Sequence, residues 1–174
     1  MIWLIQGLAA FVFRVAGVAV PGQVVLLQRF EEHDCWCLPG GRVEMLEPAA
    51  EASRREMQEE TGCSVGVERL VWVVENFFTF EGREQHEVGL HFLMSLEPFA
   101  HLVRWAEFYG WESETPIVFR WVSLPDLRQL DLYHTFLRTT LIELPQEPKH
   151  VVHRDASFVT RPDPSRENVR PGEA

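Results

Sequence analysis

The segment from Gly41 to Cys63, GRVEMLEPAAEASRREMQEETGC, constrains this chain more than any other stretch. Pro48 opens it as a helix and Thr61-Gly62 ends it, since Pro is tolerated in a first helical turn and Gly is favoured just beyond the last. The spacing predicts a helix of about fourteen residues. Ala49, Ala50, Ala52 and Met57 supply its core stripe, and the rest is charged. Glu56, Glu59 and Glu60 stand at i, i+3 and i+4, so their carboxylates share one face. Two such charges about 6 Å apart, at an effective dielectric of about 20, repel by roughly 3 kcal/mol. Arg54 and Arg55 offset part of that. A hard divalent cation offsets more, because Mg²⁺ takes a few carboxylates together with waters and substrate phosphates. The helix alone also permits the plainer reading of a solvated charged face.

The residues ahead of the helix favour the first reading. Gly40-Gly41 lets backbone approach an anion or a metal closely, and Gly41 can offer a carbonyl where a Cβ would obstruct. Glu47, eight residues before Arg55, is placed to pair with that guanidinium and fix loop against helix.

The surrounding chain sets the frame. It has 174 residues, one domain's worth, with 16 Lys plus Arg against 26 Asp plus Glu, a net charge of −10. That balance argues against general nucleic-acid binding, which needs clustered cations. Three cysteines, Cys35, Cys37 and Cys63, suit neither a disulfide framework nor a four-ligand zinc site and point to a reducing cytoplasm. The apolar N-terminus lacks a basic flank and carries Arg14 within it, so no membrane anchor or leader is expected. Residues 1–10 read as an extension or an extra edge strand. Phe11–Val20 and Gln23–Phe30, joined by Pro21-Gly22, read as a hairpin. Val65–Phe80 and Val88–Leu96 read as an antiparallel pair, and Pro98–Thr115 as a long loop. Ile117–Val122 reads as a strand, Ser123–Asp126 as a helix start, and His134–Leu144 as a closing helix. The domain is expected over 11–150, followed by a C-terminal segment that loosens from about 160, where prolines abound and apolar residues are scarce.

The segment around the helix resembles a known family. The pattern G-x5-E-x7-R-E-U-x-E-E-x-G-U, with U a bulky apolar residue, is the Nudix box. Gly41, Glu47, Arg55, Glu56, Met57, Glu59, Glu60, Gly62 and Cys63 fill it in order, Cys63 being smaller than the usual aliphatic. Trp36-Cys37-Leu38-Pro39-Gly40-Gly41 also looks like the family's approach to the box. The resemblance implies an α/β fold, a Nudix-type α/β/α sandwich with a mixed sheet in a single domain. It implies hydrolysis of a nucleoside diphosphate linked to another moiety, a small-molecule nucleotide substrate, with Mg²⁺ or Mn²⁺. By position Glu56, Glu59 and Glu60 would be metal ligands and Gly41 a backbone ligand. Glu47 and Arg55 would be the structural pair, and Glu59 or Glu56 the general base. The family also admits a homodimer.

Many members draw a further carboxylate from outside the box. Glu112 and Glu114, in the loop expected before Ile117, and secondarily Glu87 are the candidates here. Trp105, Tyr109 and Trp111, in the same loop, are candidates for a substrate wall, since loops carry function. His86 and His91 read as surface or structural histidines. Two alternatives belong to other classes: a diphosphate isomerase, for which Cys37 would be the activated thiol, and a nucleotide-sensing module, which the complete set of box carboxylates disfavours.

Overall fold

The computed structural model describes residues 1–80, 82–95, 106–112 and 115–154. Two sheets carry the chain. The larger has strand order β1-β2-β5-β4-β8, from β1 (Trp3–Gln6), β2 (Ala9–Val18), β4 (Gly66–Phe80), β5 (Arg83–Ser95) and β8 (Lys149–Arg154). It is mixed: β2 runs parallel to β5 and β4 parallel to β8, whereas β1–β2 and β4–β5 are antiparallel. The smaller is antiparallel, β3-β7-β6, from β3 (Val24–Phe30), β6 (Glu107–Glu112) and β7 (Thr115–Ser123). The fold is α/β, as the resemblance implied.

Helix α1 (Ala49–Thr61) is closed by Gly62 at φ 73° and buries Ala52, Ser53, Met57 and Glu60. Met57 packs with Ala19, Leu26, Ile117 and Phe119, and Ala52 with Val15 and Val43, so α1 seats against both sheets. A second cluster joins Trp72, Val74 and Leu27 to Leu124 and Leu127 of a 3-10 helix (Leu124–Gln129), and to Leu137 and Leu141 around α2 (Leu137–Thr140).

Four expectations are corrected. The segments read as a hairpin lie in different sheets. Both edges of β2 are already taken, one by β5 and the other by β1 and the 39–43 segment, where Val15 N–H donates to Gly41 O (2.9 Å), Gly17 N–H to Pro39 O (2.8 Å) and Val43 N–H to Phe13 O (3.0 Å). β3 therefore pairs with β7, and one bond from Leu26 N–H to Ala19 O (3.0 Å) marks where the chain changes sheets. The long loop before Ile117 contains β6, so Tyr109, Trp111 and Glu112 are strand residues. The closing helix is a single turn, because only Leu137 and Leu141 in that segment need full burial. β5 begins at Arg83 rather than Val88. β8 had no counterpart in the sequence expectations. Trp105, Glu114 and the tail from 160 lie outside the described residues.

Candidate active site

Arg55 organises the site from one face of α1. Its Nε donates to Glu47 Oε1 (2.8 Å) and one terminal nitrogen to Glu47 Oε2 (2.9 Å), a bidentate pair that ties loop to helix. The other terminal nitrogen donates to Glu56 Oε1 (2.9 Å) and Glu59 Oε2 (3.1 Å). Three box carboxylates thus share one guanidinium. The hydrogen bonds from Arg55 hold Glu47 below the usual carboxylate range, against a small opposing effect of burial. Burial raises Glu56 instead, and Arg55 only partly offsets it.

Glu60 differs from the other three. It is 4% exposed, and among the described residues neither carboxylate oxygen has a hydrogen-bond partner of good geometry. Burial pushes it well above the ordinary carboxylate range; Glu56 and Glu112 add to the rise, while Arg14 and the nearby Gln28 side chain ease it. A buried anion without a partner is costly, and a cation is the ordinary remedy.

Two close approaches fix the neighbourhood. A Cβ on Gly41 would overlap the Glu56 carboxylate as it stands, so a side chain there would displace that group. The Gly41 carbonyl accepts from Val15 N–H and retains a second lone pair. In β6 a Cβ on Gly110 would overlap Glu60 O, which brings the strand hard against the end of α1. Glu112 shares the Gly110 face of β6 and adds its charge to the environment of Glu56 and Glu60. Among the described residues no three carboxylate, histidine or cysteine side chains are already gathered at metal-binding distance.

Other candidates stand elsewhere. Tyr109 and Trp111 are exposed, but on the face of β6 opposite Gly110 and Glu112, so they point away from the box carboxylates. Glu87 lies on β5 in a separate row of inward residues, Gln85, Glu87, Gly89 and His91. Burial resists its ionisation, yet His134 and Arg14 hold it down at about 2. Around it is a cavity of about 40 Å³ lined by Arg14, Cys37, Glu87, His91, Tyr133 and His134, with other residues. Arg14 bridges this cavity to the box loop: one terminal nitrogen donates to Gly40 O (2.8 Å), and Nε stands 3.9 Å from Glu87 Oε2. Sequence reasoning missed Arg14, Tyr133 and His134, and took His91 for a structural residue. The one available signal was the polar alternation Gln85, Glu87, His91 within a strand-forming run. Burial pushes the Cys37 thiol up to about 12, the reverse of what an isomerase nucleophile needs.

Comparison with known proteins agrees with this geometry. The NUDIX domain matches residues 7–144. A putative mutator protein MutT4 of Mycobacterium tuberculosis is 36% identical over 59 residues, 34% of this chain and 24% of that protein, so the chain spans about a quarter of the curated relative it matches. The structure of a MutT Nudix hydrolase from Burkholderia pseudomallei superposes with a TM-score of 0.51 at 25% identity, covering 74% of this chain and 95% of the other. An ADP-ribose pyrophosphatase from Streptococcus suis gives 0.54 at 15% identity, covering 81% and 98%, a likeness of fold. With the family match running across most of its length and the box residues assembled on α1 as described, the chain belongs to the Nudix family.

Proposed function

We propose that this chain hydrolyses a phosphoanhydride bond in a nucleoside diphosphate linked to another moiety, with Mg²⁺ or Mn²⁺. The observation that carries the reading is Glu60, a buried carboxylate with two unpartnered oxygens beside Glu56 and Glu112. The donor set is all oxygen, which suits a hard cation. Glu56, Glu59 and Glu60, the free lone pair of the Gly41 carbonyl and, from outside the box, Glu112 would hold it. Such an ion, when bound, neutralises pyrophosphate oxygens and acidifies a bound water.

The chain's own residues do the rest. Arg55 aims Glu56 and Glu59, and Glu47 anchors Arg55 to the loop. Glu59, whose side chain is 61% exposed, is the group best placed to take a proton from an attacking water. Three free cysteines support a reducing, cytoplasmic setting. Among the described residues no helix is long and apolar enough to cross a membrane.

The test is a phosphate-release screen, with a coupled phosphatase to free phosphate from the products, over nucleoside di- and triphosphates, ADP-ribose, dinucleotides and sugar nucleotides, with each cation. Turnover that is lost with EDTA and falls by about 10² or more in Glu59→Gln supports the reading. Absence of turnover on the whole panel, or an undiminished rate in Glu59→Gln and Glu60→Gln together, overturns it.

A further inference from the structure

The cavity around Glu87 is separated from the metal-binding carboxylates by Arg14, and its wall is short of hydrogen bonds. His91 and His134 are buried, at 2% and 8% exposure, and His91 Nδ1 and both ring nitrogens of His134 have no hydrogen-bond partner among the described residues. Glu87, 6% exposed, accepts a long hydrogen bond from Asn76 Nδ2 (3.5 Å) and stands 3.6 Å from His134 Nε2 and 3.9 Å from Arg14 Nε. Buried imidazoles are rarely left with open ring nitrogens unless something else completes them. The void is about 40 Å³, room for a group of roughly three heavy atoms by comparison with the space one water needs. Carboxylate oxygens accept only and each neutral imidazole has one accepting nitrogen, while one Arg14 nitrogen already donates to Gly40 O, so Glu87 and the histidines can take donors from a bound group.

Glu87 is also held from behind. His153 of β8 contacts Asn76 Oδ1 through Nδ1 (2.9 Å) and Thr135 Oγ1 through Nε2 (3.0 Å). With the proton on Nδ1, His153 donates to Asn76 Oδ1 and turns the Asn76 amide so that its two hydrogens serve the Tyr133 hydroxyl oxygen (2.6 Å) and Glu87. β8 lies beyond residues 7–144, the part that matches the family, so this support comes from outside the matched segment.

We infer that the cavity is a recognition subsite for a donor-bearing group at the non-reacting end of the substrate, with Glu87 as its main acceptor, His91 and His134 as its side walls, and His153 of β8 as the positioning residue that fixes Glu87 through Asn76. The shared chemistry is a cluster of N–H or O–H donors on about three heavy atoms. It can come from the amino-imino edge of a nucleobase or from the hydroxyls of a sugar. The inference rests on the nucleotide reading above but concerns binding, so it is tested by binding.

Calorimetry with the full chain and Mg²⁺ compares two probe pairs that differ in donors: GDP against IDP, which lacks the exocyclic amino group, and UDP-glucose against UDP. The expected result is at least a tenfold preference for the donor-bearing member of one pair, which also identifies the source. Glu87→Gln reduces that preference to under threefold. His153→Leu reduces it in part, and His153→Gln restores part of the loss, whereas a merely structural role would lower the melting temperature and leave the preference intact. Equal affinity within both pairs in the wild type, or a preference unchanged in a folded Glu87→Gln, overturns the subsite. A preference untouched by His153→Leu overturns the positioning role. Because no turnover is read, a preference without hydrolysis supports the subsite while sinking the hydrolytic reading, and hydrolysis without a preference does the reverse.

Discussion

Glu60 sits in the structure as a buried carboxyl whose ionised form burial opposes, and that has a measurable cost. A buried, unsatisfied polar group is worth about 1 to 3 kcal/mol of lost stability, more if charged. Glu60→Gln keeps the shape and removes the charge. In EDTA at neutral pH the variant is therefore expected to be more stable than the wild type in urea denaturation, because it never pays for ionising the buried group. Addition of Mg²⁺ reverses the order, since only the wild type gains from linkage to a ligand that binds the folded state. A Glu60→Gln protein less stable than wild type in EDTA would show that the carboxylate is already satisfied. The neighbouring charges are not equivalent. Glu47, Glu56 and Glu59 hold hydrogen bonds from Arg55, so their neutral isosteres lose contacts that Glu60 never had.

At the level of elements, β6 is an edge strand held by β7 and by its approach to α1. That approach depends on Gly110, where any side chain would run into Glu60 O. Gly110→Ala is expected to destabilise the fold by about 1 to 3 kcal/mol, the usual cost of overpacking. It should also weaken Mg²⁺ binding, because Glu112 rides on the same strand. A thermal melt together with a Mg²⁺ titration checks both, and an unchanged melting temperature would mean that β6 can move away freely. The elements also show what the sequence could disclose. Helix α1 was legible because its signals are local: Pro48, Gly62 and carboxylates repeating within one turn. The β4–β5 pair was legible through its β-branched and aromatic run. By contrast, β5 hid its first residues, because the side chains it turns inward there, Gln85 and Glu87, are polar, Glu87 lining a polar cavity, and break the apolar alternation by which strands are recognised. β6 and β8 are short, and their pairing partners lie outside any local window. The exposed Tyr109 and Trp111 were named because a loop was expected there, yet they lie on a strand whose parity, which no single residue announces, turns them from the carboxylates.

For the whole molecule, stability against pH is the sum of buried groups with opposite tendencies. Burial and the neighbouring His134 lower His91 to about 3. From its unfolded value of about 6.5 downward, the unfolded chain binds the proton and the folded one does not. His91 thus contributes stability that is full above about 6.5 and is lost as the pH falls toward about 3, with a slope of at most about 1.4 kcal/mol per pH unit. Glu60 acts in the other sense. Its folded pKa is raised, so its contribution is favourable below the unfolded carboxylate value and is lost as the pH rises through the folded one. Between about pH 6.5 and 4.5 the two partly cancel. In EDTA, His91→Gln is expected to lose less stability than wild type across that window, and Glu60→Gln to lose more. Urea midpoints at a series of pH values decide it, and parallel curves for all three proteins would contradict the assignment.

His153 and Asn76 are 77 residues apart in sequence. During synthesis, β4 and β5 can pair early, and the carboxylates of α1 are made before either, but the support behind Glu87 does not exist until β8 has left the ribosome. The box carboxylates are thus made before the strand that steadies Glu87, and a nascent chain stalled short of residue 153 would carry Glu87 without its support from behind.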